Sequence, residues 1–210
     1  MAILPVGANR MNMMALQRRL VIARKGHKML KDKQDELMRH FLDIVEEIRG
    51  LRARTETVLV DALRDFTVIT GALSQQELEG IFIIPAVEAS VSVKTERLLN
   101  LRVPNFEITF DDRGISYSLA NTPAQLDVVM KKMEEALKLL VELAATEKKL
   151  ELLANEIDTT RRRVNALEYV MIPDLKDTIR YIRMKLEELE RGNLTRLMKV
   201  KDIIAEKYAT

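Results

Sequence analysis

Gly26, His27 and Lys28 follow one another in the chain, and these are residue types from which phosphate-binding loops are built. Such a loop needs the spacing G-x-x-x-x-G-K-[ST] after a strand, so that several backbone N–H groups turn inward towards the phosphates. Here one glycine precedes Lys28, Met29 stands where Ser or Thr is required, and no strand pattern leads in. The pattern argues against nucleotide binding, and we expect Gly26 to permit the close approach of another helix or chain.

His27 and His40 are the two histidines of the sequence, and they lie thirteen residues apart. On one helix that spacing corresponds to about 20 Å along the axis, too far for both to hold one metal ion. Cysteine is absent, which excludes Cys-based metal sites, thiol catalysis and disulfides within this chain. The sequence predicts no metal site, and His27 is expected to be a polar residue that fixes the register of a helical seam.

Carboxylate pairs offer no support for acid–base catalysis. Glu46-Glu47, Glu134-Glu135 and Glu187-Glu188 are adjacent in sequence, so the two members of each pair point to different sides of a helix. The sequence also contains no defensible Ser-His-Asp set. We therefore predict a non-catalytic protein without a cofactor.

Basic residues are concentrated at the two ends of the chain. Residues 1–40 carry nine Lys and Arg against three Asp and Glu, and residues 176–210 carry nine against six, although the whole chain has a net charge of only +2. Clustered cations bind nucleic acid or an acidic protein surface, or are ordinary solvated charge. The candidate partner-binding residues are Arg18, Arg19, Lys25, Lys28, Lys31, Lys33, Arg180, Arg183 and Arg191.

Long helices must position these cations. Alternating steps of four and three residues from Leu16 give a sustained heptad seam, whose members are Leu16, Leu20, Ala23, His27, Leu30, Gln34, Leu37, Phe41, Ile44, Ile48, Leu51, Thr55, Val58 and Ala62. No proline interrupts the stretch between Val6 and Ile84. One helix over residues 11–69 is predicted, about 90 Å long.

The C-terminal half repeats the pattern with one change of phase. The first seam comprises Val129, Met133, Ala136, Leu140, Leu143, Glu147, Leu150, Ala154, Ile157, Arg161 and Val164, and the second comprises Ile172, Leu175, Ile179, Ile182, Leu186 and Leu189. The second is displaced by one position, and the displacement coincides with Pro173. Since proline removes a helical hydrogen bond and crowds the preceding turn, a stutter or kink is expected there.

Between the helices the apolar period changes to two. Phe106, Ile108 and Phe110 alternate with polar residues, as do Ile115, Tyr117 and Leu119, and residues 111–114 separate the two runs. This predicts a β-hairpin with Gly114 in the left-handed region. Val87, Ala89, Val91 and Val93 form another candidate strand. Ser74 to Glu77 predicts a capping box for a short helix over residues 75–80, and Thr122 before Pro123 predicts the start of the second long helix.

The predicted fold is mainly α: a long antiparallel two-helix coiled coil with a small β-hairpin-containing segment between the helices. Its predicted segments are a tail (residues 1–10), the N-terminal coiled-coil helix (11–69), a central segment (70–121) and the C-terminal coiled-coil helix (122–210). No run of about 18 apolar residues occurs, and MAILPVGANR lacks a charged region before a long apolar one. A cytoplasmic protein is expected, or one peripheral to a membrane through a partner.

Two segments carry a family resemblance. Gly26-His-Lys-Met-Leu-Lys-Asp-Lys-Gln-Asp-Glu-Leu37 and Arg162-Arg-Val-Asn-Ala-Leu-Glu-Tyr-Val-Met-Ile-Pro-Asp-Leu175 resemble the D subunit of the V-type and A-type rotary ATPases. The order of helix, β-bearing segment and helix agrees as well, so the resemblance covers nearly the whole chain.

The resemblance implies a central-stalk rotor that transmits torque between the ATP-hydrolysing A–B hexamer and the membrane ion-translocating ring. It implies four partners: the catalytic A and non-catalytic B subunits, the F subunit of the central stalk, and a funnel-shaped subunit that links to the membrane ring. The basic residues would then face the A–B hexamer. Such a chain would be cytoplasmic and peripheral to a membrane through the complex.

Two alternatives remain open at this point. Arg162 and Arg163 either contact another stalk subunit or lie along the apolar surface of the coil, as long cationic side chains often do. The whole chain could instead be a coiled-coil arm that binds nucleic acid or scaffolds a complex. Aromatic residues for base stacking are sparse near the basic ends, which disfavours recognition of single strands but not phosphate-backbone contact.

Overall fold

The structure, a computed structural model, describes residues 4–85, 87–112, 114 and 123–208. Helix accounts for most of them, which confirms the predicted mainly α class. The elements are α1 (Arg10–Thr70), α2 (Gln75–Phe82), β1 (Val87–Leu98), β2 (Leu101–Asp112), α3 (Gln125–Asn165), a π-helical segment (Ala166–Met171) and α4 (Ile172–Tyr208). The predicted division into four segments stays a prediction.

The chain forms two compact units. Unit 1 comprises Met1–Glu36 with Ile157–Thr210, and unit 2 comprises Leu37–Glu156. Helix α1 contributes residues to both units, as does α3.

In unit 1, the first part of α1 packs antiparallel against α4 and the π-helical segment. Two contacts give the direction: the Arg10 guanidinium binds the Glu190 carboxylate, and His27 Nε2 lies 3.3 Å from Glu168 Oε2. The partner's number falls as the α1 residue's number rises, so the helices run in opposite directions. The core between them consists of the buried residues Leu16, Ala23, Leu175, Ile179 and Ile182.

In unit 2, the remainder of α1 packs antiparallel against α3. Arg52 Nη2 donates to Glu147 Oε1 at 2.5 Å, and further along α1 the Asp65 carboxylate binds the Lys132 ammonium. Ile69, near the end of α1, packs in a buried cluster with Leu126 and Val129 at the start of α3.

The predicted α1 seam is confirmed along its whole length. Every member from Leu16 to Ala62 is buried or half-buried, and Leu37 is only 1% exposed. The polar members His27, Gln34 and Thr55 are included in this burial. Heptad spacing therefore identifies the face of α1 that packs against its partners.

From Leu140 onwards, every second member of the predicted α3 seam is wrong by one position. Leu140, Ala154 and Arg161 are exposed. The remaining misplaced member, Glu147, is half-buried in its ion pair with Arg52. Buried instead are Leu139, Thr146, Leu153 and Thr160, each three residues after a correctly predicted member rather than four. Steps of three and of four residues both stay near one helix face. Because residues 139 and 140 are both leucine, the sequence alone did not decide which of the two is buried.

The predicted change of phase before Pro173 takes the form of the π-helical segment. The Ile172 N–H donates to the Leu167 carbonyl, five residues back, and Pro173 has no N–H to continue an α-helical ladder. Val164 is buried and the next seam begins at Ile172, eight residues later instead of seven. The π-helical turns absorb the additional residue and return Leu175 to the core. The predicted second seam ends at the half-buried Leu186, because Leu189 is 58% exposed.

The observed hairpin joins other residues than the predicted one, and the predicted turn at residues 111–114 stays a prediction. Strand β2, which contains Phe106 to Phe110 as predicted, pairs antiparallel with β1, and its Asp111 and Asp112 are still in the strand. The chain turns at Leu99 and Asn100, where Leu99 has φ 53°. Residues 115–120, the predicted partner strand, lie outside the described residues, whereas Gly114 has the predicted positive φ of 84°.

The capping box of α2 is confirmed. The Glu77 N–H donates to Ser74 Oγ at 3.4 Å, and the Ser74 N–H donates to Glu77 Oε2 at 2.9 Å. Helix α2 extends to Phe82, two residues beyond the prediction. The predicted cap Thr122 lies outside the described residues, and α3 begins at Gln125.

Candidate partner-binding surface

All nine cations predicted to bind a partner lie in unit 1. Six belong to α1 and three to α4, and all of them are exposed except the half-buried Lys33. Because α1 and α4 pack against each other in this unit, the fold brings together cations from opposite ends of the sequence. Their contact with another protein of a complex stays a prediction.

Most of these cations have no anionic partner within the part of the chain that the structure describes. Among the described residues, no ion pair is formed by Arg18, Arg19, Lys25, Lys28, Lys31, Arg180, Arg183 or Arg191. Exposed cations left unneutralised give this surface a positive potential that favours acidic partners. The surface can therefore attract an acidic protein segment or a phosphate backbone.

An apolar groove of about 640 Å³ opens between the cation-bearing face of α1 and the π-helical segment. Its lining combines residues from both sides of unit 1: Leu4, Arg19, Ile22, Ala23, Gly26, Leu167, Val170, Met171, Asp174 and Leu175. The volume falls in the range of pockets that bind small molecules or partner side chains. Sequence reasoning missed this groove.

The groove exposes large apolar side chains to solvent. Ile22 is 68% exposed, Val170 58% and Met171 51%. A contiguous exposed apolar patch in a chain this rich in charge is typical of a binding site. The only sequence signal for it was the change of phase at Pro173, because the π-helical segment turns Val170 and Met171 outward.

Gly26 lies in the groove without the close helix contact that we expected. A Cβ built on Gly26 would meet no atom within 4 Å, so the expectation is wrong for contacts within this chain. The missing side chain leaves open space above the backbone of α1. Next to it, His27 occupies its predicted seam position and contacts Glu168 across the helix pair.

Arg162 and Arg163 lie at the end of α3, also in unit 1, and both are exposed. Arg162 Nη2 lies 2.7 Å from Asp158 Oδ2, one turn earlier in the same helix. That local ion pair satisfies Arg162 on the helix surface. Contact of either arginine with another protein of a stalk stays a prediction.

Unit 2 presents different surface chemistry. The hydrogen bond and the charge of Asp65 raise the pKa of Lys132 above its ordinary value. The Lys138 ammonium lies 4.8 Å from the centre of the Phe110 ring, linking α3 to the hairpin. Phe82, Ile83 and Ile84, at the end of α2, are 46%, 74% and 60% exposed. The first contact joins α1 to α3, the second joins α3 to the hairpin, and the end of α2 presents an exposed apolar surface.

Neither a membrane span nor a metal cluster is found within the part of the chain that the structure describes. No helix there combines the length and apolar character that crossing a bilayer requires. No group of three or more His, Asp or Glu side chains in those same ranges is arranged to hold a metal ion.

Comparisons with known proteins identify the family. The sequence model of the family described as the D subunit of ATP synthase matches residues 12–202. The D subunit of the V-type ATP synthase of Acetivibrio thermocellus is 46% identical, with 98% of this chain and 95% of that protein covered. The proteins of the same name from Clostridioides difficile and Thermoanaerobacter pseudethanolicus are 44% and 43% identical, covering 99% and 97% of this chain and 95% and 99% of their own lengths. This chain belongs to the D-subunit family of ATP synthases.

Proposed function

We propose that this chain is the central-stalk rotor subunit of a V/A-type ATPase. In this role it transmits torque between the A–B hexamer and the membrane ring and performs no catalysis itself. The observation that supports the proposal most directly is the antiparallel pair of α1 and α4, which carries exposed cations on both helices of unit 1. Membership of the D-subunit family points to the same complex.

Continuous burial along the helix pairs suits the transmission of torque. The seam of α1 is buried or half-buried from Leu16 to Ala62, so twisting one helix relative to its partner would expose apolar surface at about 25 cal/mol per Å². That cost resists local unwinding. Ion pairs across unit 2, such as Arg52 with Glu147, add directional contacts between the helices.

The cations of unit 1 suit a surface that moves past its partner. Exposed ion pairs are worth about 0–1 kcal/mol each, so a contact between one of these cations and the hexamer can break and re-form with another carboxylate at little cost. We assign Arg18, Arg19, Lys25, Lys28, Lys31, Lys33, Arg180, Arg183 and Arg191 to this surface. The F subunit and the funnel-shaped subunit would bind elsewhere on the chain, with Arg162 and Arg163 as candidate stalk contacts.

Binding to a purified A–B hexamer tests the proposal. Charge reversal at Arg18, Arg19 and Lys25 is expected to weaken binding about tenfold, since three weak ion pairs are lost. The matched control reverses Arg49, Arg64 and Lys131, which are exposed cations of unit 2, and is expected to change binding less than about twofold. Equal loss in both variants would contradict the assignment of the surface.

The alternative is a coiled-coil arm that binds nucleic acid or scaffolds a complex. The unpaired cations of unit 1 also suit phosphate groups, and such binding would weaken linearly on a logarithmic plot against salt concentration. Measuring the affinity of the full chain for a random duplex between low and high salt separates the two functions. Tight, salt-dependent duplex binding without hexamer binding would favour the alternative.

A further inference from the structure

The apolar groove beside the π-helical segment has no role in the positive surface described above. Its lining is mostly apolar and open to solvent, and it includes one cation, Arg19, which forms no ion pair with another described residue. A surface that only carries solvated charge would not require an apolar groove. The combination calls for a partner that supplies both an apolar side chain and negative charge.

We propose that this groove is a docking pocket for a bulky apolar side chain of the A–B hexamer that is flanked by a carboxylate. The inference rests on the proposed function, because the partner it names is the hexamer. The apolar side chain would enter the space above Gly26, and the carboxylate would pair with Arg19 at the rim.

The dimensions of the groove support a side chain as its occupant. A space of about 640 Å³ exceeds the volume of any single side chain and leaves room for part of the segment that carries it. Ile22, Val170 and Met171 would be covered by that occupant, and their exposed fractions of 68%, 58% and 51% make them the main apolar contacts. Anchoring residues of this kind usually carry most of an interface's affinity.

The charges around the groove favour an acidic segment. Arg19 lines the groove, and it forms no ion pair with another described residue. The anion on the lining, Asp174, already has an interaction within the chain. A carboxylate that arrives with the apolar side chain can therefore pair with Arg19 on the α1 side.

Two glycines on α1 provide a matched test. A Cβ at Gly26 or at Gly50 would meet no atom within 4 Å, so leucine fits at both sites and improves helix propensity at both. Of the two, Gly26 lines the groove. Gly26→Leu fills the docking space, whereas Gly50→Leu alters an exposed surface in unit 2.

The experiment measures thermal stability and affinity for the A–B hexamer in the same two full-length variants. Both are expected to be at least as stable as the unsubstituted chain, and Gly26→Leu alone is expected to bind about tenfold more weakly. Because its folding is not impaired, weaker binding would come from the blocked groove. Equal binding by the two variants, or tighter binding by Gly26→Leu, would overturn the proposal.

A second pair of variants shortens apolar side chains instead of filling the groove. Ile22→Ala is expected to weaken hexamer binding several-fold, and Val21→Ala, an exposed neighbour that does not line the groove, is expected to have no effect. If the unsubstituted chain does not bind the hexamer, the proposed function fails. If it binds and neither Gly26→Leu nor Ile22→Ala weakens that binding, only the docking pocket is wrong.

Two further measurements test how much charge contributes to hexamer binding, and whether the acidic ligand comes from a protein or from a lipid. Arg19→Ala is expected to weaken hexamer binding at low salt, with the difference shrinking at high salt because screening removes the contribution of an exposed pair. The full chain is also incubated with vesicles of anionic lipid. Binding to these vesicles that Gly26→Leu abolishes would overturn the assignment to a protein segment.

Discussion

Thr160 and Thr178 are both fully buried in unit 1, but their hydroxyl groups have different environments. Thr178 Oγ1 donates to the Asp174 carbonyl at 2.7 Å and accepts from the Leu4 N–H at 3.1 Å. Thr160 Oγ1 has no hydrogen-bond partner among the described residues. A buried hydroxyl without a partner retains its desolvation cost, whereas a bonded one offsets it.

Replacing each threonine by valine should therefore have opposite effects. Thr160→Val is expected to raise the free energy of unfolding by about 1 kcal/mol, and Thr178→Val to lower it by about 1–2 kcal/mol because the Leu4 N–H loses its acceptor. Denaturant unfolding of the two variants measures both changes. Destabilisation by Thr160→Val would show that its hydroxyl has a partner.

The capping box of α2 predicts a pH dependence. The Ser74 N–H, followed by the Ser74 hydroxyl, donates to Glu77 and lowers the pKa of that carboxyl below its ordinary value of 4.5. A carboxyl with a lowered folded-state pKa stabilises the fold fully above its unfolded pKa, and this contribution is lost as pH falls through the folded value. Helix α2 should therefore begin to fray as the solution is acidified below about pH 4.5.

NMR titration of the Glu77 carboxyl carbon measures this effect. Ser74→Ala removes the hydroxyl contact and should move the pKa of Glu77 part of the way back towards 4.5, since the larger contribution of the Ser74 N–H remains. Gln76→Ala, one residue before Glu77 and outside the box, is the control. An unchanged Glu77 titration in Ser74→Ala would contradict the role of the cap.

At the scale of the element, the π-helical segment accounts for the one-residue change of phase between the two C-terminal seams. If it absorbs a single additional residue, deleting Tyr169 should leave a continuous α-helix with Leu175 and Ile179 still on the buried face. Deleting the exposed Arg180 instead rotates Ile182 away from the core. We expect the first deletion to cost less than about 1–2 kcal/mol and the second about 2–5 kcal/mol.

Chemical denaturation, with helix content monitored by circular dichroism, distinguishes the two deletions. Both remove one exposed residue from the same half of the chain, so differences in length do not affect the comparison. A larger loss of stability for the Tyr169 deletion would mean that the π-helical segment contributes more than a correction of phase.

The hairpin turn stores strain at one residue. Leu99 is the one non-glycine residue with positive φ among those described, and an L-residue in that region costs about 1–2 kcal/mol relative to glycine. Asn100 lacks positive φ, so Leu99 is the turn residue whose backbone conformation favours glycine. Leu99→Gly should stabilise the hairpin, measured as slower amide hydrogen exchange in β1 and β2.

The same elements show what the sequence could and could not predict. The α1 seam was predictable because one phase holds from Leu16 to Ala62. In α3, Leu139 beside Leu140 allowed two choices, and packing against α1 decided between them. The hairpin turn was missed because Leu99-Asn100 carries neither glycine nor proline. The groove depends on how the π-helical segment turns Val170 outward, which spacing alone does not define.

For the molecule as a whole, the cations predicted from the sequence to bind a partner are gathered in unit 1, and the hairpin is in unit 2. In the proposed function, unit 1 binds the A–B hexamer and unit 2 is available to other partners. The basic set itself was predictable from charge counts along the chain. Its partner was not, because unpaired cations suit both carboxylates and phosphates.

The central claim is that this chain rotates when the hexamer hydrolyses ATP. The sequence has no cysteine, so Ser92→Cys on the exposed strand β1 provides a single attachment point for a bead. With the A–B hexamer fixed to a surface, we predict that the bead turns in one direction, that rotation requires ATP, and that it stops when ATP is removed. A bead that stays bound to an ATP-hydrolysing hexamer without turning would contradict the account.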